Sequence, residues 1–327
     1  MHNALVSIGE AAARILADEV MILAGSEEAL SRLPRGRWIG ATTVYRATPD
    51  GAAPPEGPDA RLFCTRFPEA EGARARHVPL ADLPDLASGY RPGGFNLMMV
   101  PAFSLAHSEF VTGGPGYAGL FGQALGLWIA GVAPEYLDCA APLVFDGAHA
   151  EAHDEGAVVL HCGLPAGSSF VPDMFNILAP GDLPAPEFRF AEGGLHVQEA
   201  EVDGASVNLA RWIARHGIDM RRPLVAHYSG ELISIAIAGL DPEAGTVRFR
   251  VPVAPGVSYR LAQAPGTFFD AFPAPPGSLP RACIVNALYG DLRAPRVGTI
   301  APPARFGAPA YALPGPPPGR RDWLDLA

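Results

Sequence analysis

Residues 20–45 read VMILAGSEEALSRLPRGRWIGATTVY, and this stretch decides the fold class. Val20 to Leu23 is a short apolar run suited to a buried strand, and Gly25 ends it. Ser26 then offers its hydroxyl to the free amides of a first helical turn, so a short helix running to Leu33 follows. Pro34 and Gly36 turn the chain into residues 38–45, whose β-branched and aromatic content favours a strand. Strand, helix and strand in direct succession are the unit of an α/β protein.

The same reading extends outward. Ser7 and Glu10 stand at the spacing of a capping box, which predicts a helix over 8–18. Beyond the Pro/Gly-rich turn region 48–58, residues 62–67 can pair back on 38–45 as a hairpin. Residues 95–100 are apolar or amide and lie between Gly93-Gly94 and Pro101, which marks an interior strand and leaves Ser104 to Glu109 at a strand end. Residues 157–162 form another strand. Past Pro180 to Pro186, residues 195–202 read as a strand, Asp203-Gly204 as a tight turn, and Ser206 as the cap of a helix ending at Gly217, with Leu209, Ile213 and His216 on one face. Residues 246–253 alternate strictly, with Val247, Phe249, Val251 and Val253 on one side, and Pro252 places that strand at a sheet edge.

Composition sets the outer limits. A chain of 327 residues holds one large or two joined domains, and 49% hydrophobic against 18% charged residues excludes intrinsic disorder. The 37 Gly and 35 Pro imply many turns. All 24 basic residues are Arg. Without Lys there is no Schiff-base nucleophile, no aldimine to pyridoxal phosphate and no phosphate-loop lysine. The net charge of −10 repels nucleic acid and anionic lipid surfaces. The most apolar stretch, 124–133, is about half of the roughly 20 residues a membrane span needs, so it reads as a core segment. Met1 to Ala4 carry no secretory pattern, and Cys64, Cys139, Cys162 and Cys283 form no CxxC pair, so buried reduced thiols and a cytoplasmic location are expected.

Several groups carry candidate chemistry. Gly114 to Gly119 spells GxGxxG with Asp138 further on, but no strand leads directly into it and Gly122 and Gly126 weaken any helix, so a loop is the better reading. His149 and His153 stand one helical turn apart beside Asp146, Glu151, Asp154 and His161, a donor set suited to a divalent metal, against which stands a solvated loop. His107, flanked by Ser108 and Glu109, follows the 95–100 strand, where a carboxylate could fix its tautomer for ligand binding. The alternative is a hydrogen-bonded structural histidine. His227 and Tyr228 have the same character, and Asn286 and Tyr289 follow a buried-looking strand; these groups can converge on one cleft. Nothing adjacent to Cys283 lowers its pKa, and no Gly-x-Ser-x-Gly elbow is present.

The segment Trp38-Ile39-Gly40-Ala41-Thr42-Thr43 resembles the strand end of FIST domains, bacterial sensory domains of intracellular signal transduction. Asp203-Gly204-Ala205 with the helix after it is similar to the start of their C-terminal half. Arg281 to Asn286 resembles their late Cys-containing strand, and Gly298-Thr299-Ile300 with Phe306-Gly307 their closing segment. Leu33-Pro34, Gly36, Trp38-Ile39-Gly40 and Trp128 to Val132 resemble an uncharacterised bacterial branch. The Pro-rich ending departs from the family pattern. The resemblance implies an α/β fold of two intertwined halves with mixed β-sheets flanked by helices: 1–183, 184–313 and a Pro/Gly-rich tail, 314–327. It further implies a small-molecule cleft that includes Thr42 and Thr43, haem as a candidate cofactor, and signalling through a separate protein partner. A His- or metal-dependent hydrolase and a non-catalytic subunit of a larger complex are the competing functional readings.

Overall fold

Ser7 accepts a hydrogen bond from the Glu10 amide at 3.2 Å, and the Glu10 carboxylate accepts from the Ser7 amide at 2.7 Å. This reciprocal cap starts helix α1 (Ile8–Leu16) directly at the end of strand β1 (His2–Ser7). The computed structural model describes residues 2–43, 46–48, 51–53, 61–132, 140–168, 185–220, 222–228 and 231–263. Val44, Tyr45, Asp138, Cys139, Cys283, Asn286, Tyr289, the closing segment and the tail lie outside the described residues.

Strand β2 (Met21–Gly25), helix α2 (Glu27–Ser31) and strand β3 (Trp38–Thr42) follow in the expected order, with Ser26 capping α2 and the two strands parallel. A small hairpin comes next, β4 (Arg46–Thr48) on β5 (Gly51–Ala53). Strand β6 (Arg61–Arg66) then departs from the hairpin expectation: it pairs antiparallel with β1 and β2 instead of β3. The crossover through α2 commits one edge of β3 to β2, and β10 (Val144–Asp146) takes the other.

The chain goes on through β7 (Glu71–Val78), a 3₁₀ segment (Leu80–Gly89), β8 (Phe95–Pro101), α3 (Leu105–Gly113) and β9 (Ala124–Ala130). After β10 come β11 (Glu151–His153) and β12 (Ala157–Gly163). Two mixed sheets result, ordered β1-β6-β2-β3-β10-β11 and β7-β12-β8-β9, with β8 and β9 parallel across α3. Three apolar clusters stack them into layers. Ala11, Ile15, Ala29 and Leu30 of α1 and α2 cover the outer face of the first sheet. Its inner face, with Ile22, Ile39 and Phe63, packs on Leu97, Trp128 and Leu160 of the second. Each such side chain contributes about 1.5–3 kcal/mol by leaving water. The far face of the second sheet, with Met98, Leu127 and Val159, meets α3 and the C-terminal strands.

Those strands build separate sheets. Strands β13 (Glu187–Arg189), β14 (Gly194–Val197), β15 (Glu199–Val202) and β16 (Ala205–Asn208) lead into α4 (Leu209–His216). Strands β17 (Leu224–Tyr228), β18 (Glu231–Ile235), β19 (Ile237–Asp241), β20 (Thr246–Val253) and β21 (Tyr259–Leu261) complete the described chain. The orders are β16-β15-β13-β21-β17-β18 and β14-β20-β19. The protein is thus α/β with mixed sheets and flanking helices, and its two parts share one apolar cluster while keeping their own sheets.

Three local expectations are corrected here. The 195–202 strand breaks at Gln198, whose amide reaches Ala244 O and Thr246 Oγ1, so the chain switches sheets there. Ser206 lies inside β16; Asn208 caps α4 by accepting from the Arg211 amide, and His216 is exposed, stacked on Trp212. β20 is central and not an edge, because Pro252 falls in an irregular stretch of its pairing with β14 where no amide is called for.

Candidate functional site

Strand β7 alternates. Ala73 and Ala75 face the first sheet, while Arg74, Arg76 and Val78 take the other side, toward the cluster shared with the C-terminal strands, and a register break at Gly72 puts Glu71, opposite Gly163, on that side as well. Apolar cover for that face ends at Val78, and a buried polar chain takes over. Arg76 Nε donates to His161 Nε2 at 3.1 Å, and Arg76 Nη2 donates to Leu86 O at 3.3 Å. Arg can only donate, so His161 Nε2 is the acceptor and Nδ1 holds the proton, which it gives to Asn96 Oδ1 at 2.7 Å. Asn96 Nδ2 passes the chain on to Gln123 Oε1 and Ala124 O, and Gln123 Nε2 donates to Arg91 O. His161 and Asn96 stand directly opposite each other on β12 and β8, and both are buried.

Burial, and then the charges of Arg76, Arg74 and Arg91, push His161 down to about 4, so its ring is neutral at pH 7. Tyr90 closes the side, its ring edge-on to His161 at 5.9 Å and its hydroxyl donating to Leu120 O at 2.8 Å; burial raises its phenol far above the ordinary value. Two glycines make the room. A Cβ on Gly89 would meet His161 Nε2 at 2.3 Å, and one on Gly72, at φ +53°, would meet Arg91 Nη1 at 3.0 Å. The Arg91 guanidinium therefore occupies the place a side chain at position 72 would fill. Among the described residues, the arginines ion-paired to carboxylates are Arg14, Arg37, Arg66, Arg189 and Arg260; Arg74, Arg76 and Arg91 have no carboxylate within that range. Burial and the neighbouring Arg74 both push the Arg76 guanidinium down, with Asp82 opposing.

The model of a family of unknown function, DUF6976, matches residues 6–315. The chain belongs to the DUF6976 family. No curated protein and no solved structure matches it. The DUF6976 match runs across both parts of the chain, so the arginine end and the C-terminal sheets belong to one family unit.

The groups singled out from the DUF6976 sequence lie mostly at the opposite end of the second sheet. Thr42 Oγ1 accepts from the Leu143 amide at 2.9 Å, and Thr42 O accepts from Gly131 N; Ala130 O in turn accepts from Ala102 N. Thr42, buried Thr43 and the turn before α3 are thereby tied together. His107 sits in the first turn of α3, not at a strand end, because Ser104 Oγ accepts its amide at 3.0 Å and starts the helix. Its Nδ1 accepts from the Phe103 amide at 3.2 Å, holding Phe103 at φ +65°, and the ring is 1% exposed. Burial takes His107 down to about 4. The structure thus places it as a packed histidine that shapes a turn. Ser108 bonds back to Ser104 O, and Glu109, exposed, accepts from Tyr117 OH at 3.3 Å. Glu155 supplies the remaining caps of α3, accepting from Leu105 N at 2.9 Å and Ala106 N at 2.7 Å.

His227 is exposed on β17 opposite Leu232, in a different sheet from β8, the strand that leads into α3 and His107. Tyr228 closes β17 opposite Glu231. His149 and His153 belong to a β-hairpin, where four-residue spacing does not align two side chains as it would on a helix. His149 Nδ1 pairs with buried Asp146 at 2.6 Å, which raises its pKa, while His153 stacks on His77 at 3.7 Å. Among the described residues no three His, Cys, Asp or Glu side chains gather as a metal requires. Gly114–Gly116 is a 3₁₀ turn following a helix, as a loop reading of the GxGxxG demands. Cys64 and Cys162 are buried thiols, and burial takes Cys162 up to about 12. No described helix is long and apolar enough to cross a membrane. Sequence reasoning passed over Arg74, Arg76 and Arg91; the Ala/Arg alternation of residues 73–76 was the available signal.

Proposed function

We propose that this chain is a non-catalytic small-molecule-binding protein, sensory or accessory, working in the cytoplasm through a separate protein partner. One observation carries the binding part: Arg74, Arg76 and Arg91 act together on a neutral buried His161, and among the described residues no carboxylate lies in ion-pairing range of them. In a protein of net charge −10, carboxylates are plentiful, and three like charges left together repel one another. An anionic ligand relieves that repulsion and completes the hydrogen bonding. The non-catalytic part follows from the commitments of the groups present. Both His161 nitrogens are engaged, so the ring orients Arg76 and exchanges no proton with a bound molecule. His107 is enclosed and its Nδ1 is taken, and the Cys162 thiol is far from ionising.

The sensory role rests on the ordered resemblance to FIST domains, since the family match carries no link to them. A thermal-shift screen of the folded chain against amino acids, nucleotides and haem tests the proposal. A ligand at about 100 times its Kd stabilises by about 2.7 kcal/mol, a shift of several degrees. A folded sample that no compound stabilises, and that shows no Soret band with haem, overturns the reading.

A further inference from the structure

The geometry points to His149 as a phosphoryl-acceptor site, its Nε2 taking a phosphoryl group from an activated donor of the phosphoramidate class. The transfer is stoichiometric, so it stands beside the non-catalytic reading above and goes beyond it. Its basis is a carboxylate–imidazole pair on the hairpin of β10 and β11. Asp146 Oδ2 accepts from His149 Nδ1 at 2.6 Å, and the Asp146 side chain is 1% exposed where that of His149 is 62% exposed. A carboxylate only accepts, so the ring proton sits on Nδ1 and the lone pair is left on Nε2. No hydrogen bond among the described residues takes up that Nε2.

The turn beneath the pair holds it in place. Asp146 closes β10 opposite Ile39 of β3, and its Oδ1 accepts from the Ala148 amide at 2.9 Å. Gly147 N donates to Trp38 O at 3.0 Å and Gly147 O accepts from Gly36 N at 2.8 Å, which ties the turn to the chain leading into β3. With both Asp146 oxygens engaged and the backbone fixed, the ring is oriented before any donor arrives, which lowers the cost of reaching a reactive geometry. The same segment brings a cation. Arg35 Nε donates to His149 O at 3.1 Å, and the rest of its guanidinium has no hydrogen bond or ion pair among the described residues. Those open N–H groups suit phosphoryl oxygens. Glu151, across the hairpin from Asp146, is the other acidic group that acts on the ring, and Arg35 opposes it.

In the transfer the Nε2 lone pair forms a bond to phosphorus while the donor's P–N bond breaks. The donor nitrogen, already protonated, leaves as a neutral amine with that electron pair. Nδ1 keeps its proton. The ring takes up positive charge, and buried Asp146 is placed to stabilise it. His216 supplies the contrast within the chain: it is exposed too, and its Nδ1 donates, but to the neutral Trp212 O at 2.8 Å. It has the tautomer and the exposure without the carboxylate.

The test incubates the full chain with potassium phosphoramidate at neutral pH and reads phosphohistidine by phosphorus NMR and by mass spectrometry of its peptides. Nε2-phosphohistidine is expected at His149 at least about tenfold faster than at His216, with no Nδ1 isomer at His149. Asp146→Asn keeps an acceptor for Nδ1 but removes the charge, so its His149 rate should fall to about that of His216 while His216 itself is unchanged. His149→Gln, at an exposed position, should lose the fast adduct and keep the fold by circular dichroism. If Asp146→Asn fails to fold, the rate ratio and the isomer in the native chain decide. Labelling of His149 no faster than His216, labelling on Nδ1, or an undiminished rate in folded Asp146→Asn overturns the inference. The arginine end takes no part in this reaction, so failure of the ligand screen leaves the site standing, and failure of the labelling leaves the ligand-binding reading standing.

Discussion

Lowering the pH from 7 to 5 attacks this fold at two defined points. His107 and His161 are both pushed by burial to about 4 from an ordinary value of 6.5, and His161 is pushed further by three arginines. The folded protein therefore refuses protons that the unfolded chain accepts. The resulting stabilisation is complete above pH 6.5 and drains away as pH falls toward 4. A shift of this size is worth about 2 kcal/mol per histidine at about pH 5, on the order of 3–4 kcal/mol for the pair. His153 is lowered too and adds in the same direction, whereas His149, raised by Asp146, opposes from a fully exposed position. Among the described residues the shifted carboxylates, Glu10, Glu69 and Glu187, are all lowered and titrate further down. Urea unfolding at pH 7 and pH 5 measures the difference. His161→Gln removes one titrating site, and its pH dependence is expected to fall by roughly half of the native loss. Native stability unchanged between the two pH values would refute the placement of these rings in the interior.

Further outcomes follow from single contacts. Gly147→Ala would set a Cβ 2.2 Å from Trp38 O, and a backbone carbonyl cannot rotate aside, so chemical denaturation should register a loss of about 2 kcal/mol or more. Glu155→Ala releases the Leu105, Ala106 and Gly156 amides, costing about 1–2 kcal/mol; faster hydrogen exchange confined to those three amides identifies the lost carboxylate as the cause. Nitrogen NMR at pH 7 should find the His161 proton on Nδ1, and a protonated Nε2 would contradict the acceptor role toward Arg76.

Local grammar made much of the fold legible in the sequence. The capping box at Ser7 and Glu10, the strand-helix-strand of β2, α2 and β3, the buried β8 and β12, and the alternation of β20 all depend on neighbours within a few residues. Sheet order did not follow, because pairing is decided by which edges remain open. β6 joins β1 and β2 only since β10, some eighty residues later, closes the far side of β3. Asn208 displaced Ser206 as a cap for a similar reason: pairing with Glu199 to Val202 extended β16 to the helix.

The candidate site shows the same division. His107 drew notice because polar residues beyond a strand often line clefts, yet Ser104 and Glu155 started a helix there and turned the ring inward. The alternation of Arg74 and Arg76 with Ala73 and Ala75 marks by itself no more than one polar side of a strand. Only the return of Leu80–Gly89 over β7, and the arrival of His161 from β12, make that side a partly enclosed polar chain. Neither partner is close enough in sequence to leave a local trace.

The most direct test of the account is a crystal of the full chain soaked in tungstate, a heavy dianion of phosphate shape, with anomalous scattering recorded at the tungsten edge. The account predicts one dominant peak within hydrogen-bonding reach of the Arg74 and Arg91 guanidinium groups, lost in Arg74→Ala crystals. A dominant peak elsewhere, with the arginine end empty at the same occupancy threshold, would contradict it.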